Sequence, residues 1–245
     1  MKVAIFSDIH SNLEALTACC RVARQEGAEK FVCLGDCVGY GPDPVAVLEM
    51  LQGLPNFVCV LGNHDEYMFN SIDNSSSAPV QLVAEWTVRQ LGKQHIDYLK
   101  TLAYQHVDNG VTYVHASVHQ ANFWNYITTV DQAGKCMDAA STNLVFYGHV
   151  HIPMIFHENT DNTIELINPT LDKAINLHPN RRYVINVGSV GQPRDDDQRA
   201  CFVLYDEEQH SIRYHRVEYD YQTTITKLAK YKLPADFAER LKYGR

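Results

Sequence analysis

Apolar residues fall along the chain in two spacings. Short runs such as Val3-Ala4-Ile5-Phe6, Phe31-Val32-Cys33-Leu34 and Phe57-Val58-Cys59-Val60-Leu61, each bounded by Gly, Asn or Asp, read as strands. Helical patterns stand between them. Ser11-Asn12 precedes Leu13, Leu16, Cys20 and Ala23 at helical spacing, and Gly27 stops the series. Pro44 suits the first turn of a helix running to Leu51, and further helices are predicted over 79–92 and 95–102. Residues 66–78, rich in Asn, Ser and Asp, read as a mobile loop. In the second half the runs become strand-like: 104–107 and 111–114 flank the hairpin turn Asp108-Asn109-Gly110. Others follow at 143–147, 154–157, 163–167, 183–187, 201–205 and 211–217. Residues 220–243 read as one or two amphipathic helices. The expected class is α/β, two sheets packed face to face with helices outside, the early sheet holding parallel strands and the late one mostly antiparallel. With no internal repeat, residues 1–245 read as a single domain, long enough to fold without disulfide or structural metal.

Composition narrows the function. Acidic residues outnumber basic ones 29 to 21, and no Lys/Arg cluster exceeds Arg181-Arg182, so the chain lacks the footprint for gripping duplex nucleic acid. A polyanionic substrate would need local cations, from metal or from placed arginines. No window reaches the ~18 consecutive apolar residues of a membrane span, and Asp8 interrupts the first apolar run too early for a secretory segment. The expected location is cytoplasmic. The seven cysteines include an adjacent pair, Cys19 and Cys20, and a Cys33/Cys37 spacing unlike CxxC; they read as reduced thiols.

The chemistry gathers where the apolar runs end. The first three strands run into Ser7-Asp8-Ile9-His10, Gly35-Asp36 and Gly62-Asn63-His64-Asp65; later ones run into His115-Ala116-Ser117, Gly148-His149-Val150-His151 and Val187-Gly188-Ser189-Val190-Gly191. Residues just past the carboxyl ends of several strands converge on one crevice in open α/β sheets. In an extended segment, residues i and i+2 point to one side, so Asp8 with His10 and His149 with His151 can each chelate one centre. Asp8, His10, Asp36, Asn63, His115, His149 and His151 exceed the four ligands of a tetrahedral zinc site and suit two ions sharing a carboxylate. Glycine before Asp36, Asn63 and His149 allows close approach of backbone to ligand.

This ordered set resembles that of the calcineurin-like metallophosphoesterases. The stretches 35–42 and 186–194 resemble the small bacterial and archaeal branch of that superfamily, which extends the likeness to about residue 205. The resemblance implies a four-layer α/β/β/α sandwich. It implies that Asp8, His10 and His151 hold one divalent ion, that Asn63, His115 and His149 hold the other, and that Asp36 bridges them. Such sites are filled by manganese, iron, zinc, nickel or cobalt. A hydroxide between the ions would attack phosphorus in line, with His64 protonating the leaving oxygen and Asp65 orienting its ring. The expected activity is hydrolysis of phosphodiesters or phosphomonoesters. Alternatives are a dinucleoside polyphosphate hydrolase and a catalytically silent metal-binding regulator. A protein phosphatase is disfavoured, because Val38 to Pro44 and Glu66 to Phe69 contain no arginine.

Other residues have plainer readings. His95, His106, His119, His157, His178, His210 and His215 read as ordinary surface or core residues, Asp43 as a turn residue, and Glu14 as offsetting its helix dipole. Arg194 either grips a phosphate beside amides of the 188–191 turn or forms a surface pair with Asp. Asn12 either caps its helix or reaches the phosphate. Phe123, Trp124, Asn125 and Tyr126 could stack a nucleobase. Cys37 reads as a packing thiol with a redox role as the alternative. The expected partner is a small phosphorylated substrate such as a nucleotide, with no membrane; the oligomeric state is left open.

Overall fold

The computed structural model describes residues 1–70 and 77–245. In chain order its elements are β1 (Lys2–Phe6), α1 (Leu13–Gln25), β2 (Lys30–Cys33), α2 (Pro44–Gln52), β3 (Phe57–Cys59), a one-turn α3 (Asn63–Glu66), α4 (Ala78–Gln90), α5 (Lys93–Leu99), β4 (Gln105–Asp108) and β5 (Val111–Val114). Then come α6 (Val130–Ala139), β6 (Leu144–Tyr147), β7 (Met154–Glu158), β8 (Ile164–Ile167), β9 (Ile175–Asn176), β10 (Tyr183–Asn186), β11 (Ala200–Asp206), β12 (Ser211–Val217), α7 (Tyr221–Lys230) and α8 (Ala235–Tyr243). Two six-stranded sheets result, ordered β3-β2-β1-β11-β12-β9 and β4-β5-β6-β10-β7-β8.

Both sheets are mixed, with parallel strands in the early one and mostly antiparallel pairing in the late one, as expected; what the sequence did not announce is that late strands complete the early sheet. β1, β2 and β3 run parallel, and the sheet is completed by the late strands β11, antiparallel to β1, then β12 and β9, each antiparallel to the strand before it. In the other sheet β5, β6 and β10 are parallel, flanked by the antiparallel β4 and β7. The apolar runs of the inner strands are continuous because both sheet faces are covered there, whereas the edge strands β4 and β8 are largely exposed. In β1, Val3 and Ile5 pack between the sheets with Tyr113, Phe146, Ile185 and Tyr214, while Ala4 and Phe6 face α1 and α2. The outer face of the second sheet, with Val145, Phe156 and Val184, packs on Ala133, Cys136 and Met137 of α6.

Three elements escaped the reading of the sequence, the one-turn α3, α6 and β9. α6 carries a clear start signal, Thr129 accepting from the Gln132 amide while the Gln132 side chain returns to the Thr129 amide. Of the predicted 66–78 loop, residues 71–76 lie outside the described residues. No helix among the described residues is long and apolar enough to cross a membrane. None of the cysteines is disulfide-bonded. The parallel trios β1–β3 and β5, β6, β10 end at the junctions that carry the candidate ligands, and cross-sheet bonds join those ends. His115 Nδ1 donates to Leu34 O at 2.8 Å, and the His149 amide donates to Asp8 Oδ2 at 2.9 Å.

Candidate metal centre

The donors predicted from the strand ends meet in two buried groups, Asp8 with His10 and His151, and Asp36 with His115 and His149; within each group the ligand atoms lie within 4.8 Å of one another. Asn63 joins the second group through Oδ1, 3.1 Å from His115 Nε2. Asp36 stands between the groups, with Oδ2 3.4 Å from His115 Nε2 and 3.6 Å from His10 Nε2.

The backbone route to this convergence differs from the expected extended one. Asp8, His10, Asp36, His149 and His151 all have positive φ, between 49° and 65°, a region that non-glycine residues seldom occupy. The paired ligands therefore converge through left-handed turns. The fold holds those turns with main-chain bonds from the Asp8 amide to Gly35 O and from the His10 amide to Asp36 O, at 3.1 and 2.9 Å. Strain of this kind costs about 1–3 kcal/mol per residue and persists only where the surroundings over-determine it. Gly62 is required for the same closeness, because a Cβ there would strike the amide and Oδ1 of Asp36.

Hydrogen bonding sets which nitrogen of each ring is free. His10 Nδ1 faces Val38 O at 3.1 Å, His115 Nδ1 faces Leu34 O at 2.8 Å, and His151 Nδ1 faces Gln192 O at 2.6 Å. A carbonyl accepts only, so each Nδ1 carries a proton, and in the neutral ring each Nε2 is left with a lone pair for a metal. In the first group these nitrogens face one another, His10 Nε2 lying 3.2 Å from His151 Nε2; in the second, His115 Nε2 lies 3.1 Å from His149 Nδ1. Asp8 Oδ1 is buried without a hydrogen-bond donor, its neighbour at 3.2 Å being the same acceptor nitrogen of His151. Facing acceptors around two carboxylates repel unless a cation lies among them. Oxygen and imidazole donors of this kind suit first-row divalent metals, so the residues fit the implied pair of ions.

The protonation equilibria report the same crowding. Burial by itself would raise the Asp36 carboxyl, but His115, His64 and His10 hold it well below the usual carboxylate range. Burial likewise opposes Asp8, and His151 brings it down. Burial lowers His10 strongly, His64 to about 4 and His149 to about 3. His115 alone goes up, to about 9, because Asp36 outweighs its burial.

The remaining site predictions divide. His64 sits at the edge of the cluster, its ring centroid 4.9 Å from that of His10 and its amide donating to Asp36 Oδ1 at 2.8 Å. Asp65 does not orient the His64 ring as predicted. Its oxygens accept from the Val38 and Gly62 amides at 3.1 and 3.2 Å, tying the loop after β2 to the loop after β3. Asn12 is turned from substrate binding to structure: Oδ1 accepts from the Ala15 amide and the Thr224 hydroxyl, and Nδ2 donates to Gly191 O and Tyr219 Oη. The 188–191 turn offers no amide cradle, because its Gly188, Val190 and Gly191 amides donate to Asn186 Oδ1, Ser7 O and Asp8 O. Arg194 forms no pair with Asp195, which is taken by Arg216. It lies beside the site, its amide on His151 O at 3.2 Å.

Among the aromatics, Tyr126 stacks on His149 at 4.3 Å and Trp124 stands edge-on to His115 at 5.6 Å, its indole N–H donating to Glu66; Phe123 is exposed. Glu14 does more than face a helix dipole, since with Asp43 it pairs Lys227 of α7 at 2.5 and 2.8 Å. Tyr40 went unpredicted, although its ring lies 4.5 Å from both His10 and His64. Its place in the Gly39-Tyr40-Gly41 turn was the available signal. Behind Asp36, the Cys37 sulfur packs 3.6 Å from those of Cys33 and Cys59. The histidines outside the motifs take no part in these groups; His95, for example, accepts from the Gly92 amide at the start of α5.

Comparison with known proteins places this arrangement. Residues 1–210 match the family model of the calcineurin-like phosphoesterase superfamily domain. An uncharacterized protein of Methanocaldococcus jannaschii is 34% identical over 251 residues, covering 99% of this chain and 98% of that one. The crystal structure of a metallophosphoesterase from Sphaerobacter thermophilus superposes with a TM-score of 0.89 at 33% identity, covering 100% of both chains. A hypothetical protein from Pyrococcus horikoshii shares the fold at 21% identity, with a TM-score of 0.80 over 100% of this chain and 98% of its own. On the extent of the family match and of the identity to these relatives, the chain belongs to the calcineurin-like phosphoesterase superfamily.

Proposed function

We propose that the chain is a dinuclear metal-dependent phosphohydrolase acting on small phosphodiesters or phosphomonoesters. The observation that carries this reading is the pair of buried donor groups, each with ring nitrogens close together, and Asp36 standing between them. Asp8, His10 and His151 would hold one cation, Asn63, His115 and His149 the other, and Asp36 would be shared. When bound, such a pair supplies Lewis-acid polarisation of the phosphoryl oxygens and a nucleophile available at neutral pH.

The chain's own groups supply the rest. His64 is fixed through its amide on Asp36 and stands beside His10, so its ring borders the place where a phosphoryl group would react. It donates a proton to the leaving oxygen, which is worth typically ~10²- to 10⁴-fold where that oxygen is a poor leaving group. A phosphate dianion near the ring raises its proton affinity, as Asp36 already does. Arg194 contributes a planar fork suited to a phosphate. The ring of Tyr126, stacked on His149, leaves an aromatic face at the edge of the site for an aryl or nucleobase group.

The test is hydrolysis after chelation and reconstitution with manganese, iron, zinc, nickel or cobalt. The panel holds an aryl monoester, an aryl diester, a cyclic nucleotide and a dinucleoside tetraphosphate. Turnover of at least one ester that disappears on chelation and returns with metal is expected. Full turnover in the chelated protein would contradict the reading, and a flat negative with both ions bound would favour a regulator.

A further inference from the structure

The ring of Tyr40, which abuts both His10 and His64, is also approached by two guanidinium groups. Arg194 lies 5.8 Å and Arg240 5.9 Å from its centroid. They come from unrelated parts of the fold, Arg194 from the segment bonded to His151 and Arg240 from α8. Both forks donate to one neutral acceptor, Gln192 Oε1, at 3.0 and 3.4 Å. Gln192 is itself buried, and its carbonyl accepts from His151 Nδ1, so the acceptor that holds the forks is fixed to the candidate metal centre. Among the described residues neither guanidinium pairs with a carboxylate; Asp195 is taken by Arg216 and Asp196 by Arg245. The Nε of Arg194 is buried with no acceptor at all.

Two like charges drawn to one amide oxygen repel each other. A neutral acceptor and a ring face compensate them poorly, whereas an anion compensates them well. A phosphate suits the two guanidinium groups chemically, since it offers several oxygens to two planar forks and neutralises both. We propose that Arg194 and Arg240 form a clamp for a second phosphate of the substrate, one ring away from the phosphoryl group that reacts beside His64. The preferred substrates are then phosphoanhydrides and bisphosphates of the nucleoside di- and polyphosphate class, in preference to simple monoesters. The clamp rests on the metal-centre reading for the position of the reacting group. Its two forks are already held in place by Gln192 and Tyr40, so little side-chain freedom remains to be lost on binding.

Calorimetric titration of manganese-reconstituted protein with AMP and with the non-hydrolysable α,β-methylene-ADP tests the clamp. The wild type should bind the diphosphate analogue about tenfold more tightly than AMP. In Arg240→Gln the ratio should fall to within about threefold, with Arg240→Lys between, and Arg194→Gln should lower it independently should the α8 variants melt. Equal affinities in the wild type, or a ratio that survives both glutamine substitutions, overturns the clamp. Hydrolysis of an aryl phosphate by the same wild-type preparation separates the two ideas. Turnover without preference for the second phosphate sinks the clamp alone, whereas an Arg-dependent preference without turnover sinks the hydrolase reading and leaves the clamp.

Discussion

Asp36 uses one carboxylate oxygen on the His64 amide and turns the other toward His10 and His115. Replacing it with Asn keeps an acceptor for the amide but removes the charge that both donor groups share. Asp36→Asn is expected to leave less than about one ion per chain by metal analysis and to lower turnover by several orders of magnitude; full occupancy with full activity would refute the shared role. The position of His64 depends on a neighbour with no side chain. Gly39, at φ +90°, lies so close that a Cβ there would sit 2.7 Å from His64 Nδ1. Gly39→Ala should therefore displace the ring and mimic His64→Ala: metal content stays, and turnover falls ~10²-fold or more for esters with poor leaving groups and little for aryl esters. Equal losses for both classes of ester would count against His64 as the acid.

At the scale of elements, Asp65 joins the loops that deliver Asp36 and Asn63. Burial and the nearby Asp36 push its carboxyl well above the usual range, and it still accepts from two amides. Asn at this position has one acceptor oxygen, so Asp65→Asn strands a buried N–H at a cost of about 1–3 kcal/mol. A fall of several degrees in melting temperature with weakened metal retention is expected, and an unchanged melt would show that the loops are held elsewhere. The strand ends were legible in the sequence because strands covered on both faces are apolar throughout, so the first Asp, Asn or His after each run marks its exit. What the runs do not encode is their neighbours. Nothing in Ala200–Asp206 distinguishes pairing with β1 from pairing with β10, so the entry of late strands into the early sheet was not legible. The left-handed turns at Asp8 and His149 were equally hidden, since only glycine announces positive φ and here aspartate and histidine adopt it. Arg240 and Tyr40 were missed because they reach the site through α8 and a turn that carry no ligand motif.

For the whole molecule, the buried histidines couple folding to pH when metal is withheld. His10, His64 and His149 have folded pKa values below the ordinary one, so between about pH 6.5 and those values the unfolded chain binds more protons and stability falls as pH falls. For His64, at about 4, the loss is on the order of 2 kcal/mol by pH 5. His115, raised to about 9, has the opposite sign: its contribution is complete below about pH 6.5 and is lost as pH rises through 9. Thermal melts in chelator should thus drop from pH 7 to pH 5, and more so in Asp65→Asn, which lacks the raised carboxyl that works in the opposite sense; a flat profile in that variant would show that these rings titrate as if exposed. Added divalent metal should raise the melting temperature at pH 7 in proportion to the logarithm of its concentration above the dissociation constant.

The most direct test of the central claim is the electron paramagnetic resonance spectrum of the chain reconstituted with manganese(II). A cage that holds two ions against one carboxylate brings them to roughly 3.5–4 Å, close enough for their spins to couple. The expected result is two manganese per chain with an exchange-coupled spectrum that collapses in Asp36→Asn. A single ion per chain, or the six-line pattern of isolated manganese at full loading, would contradict it.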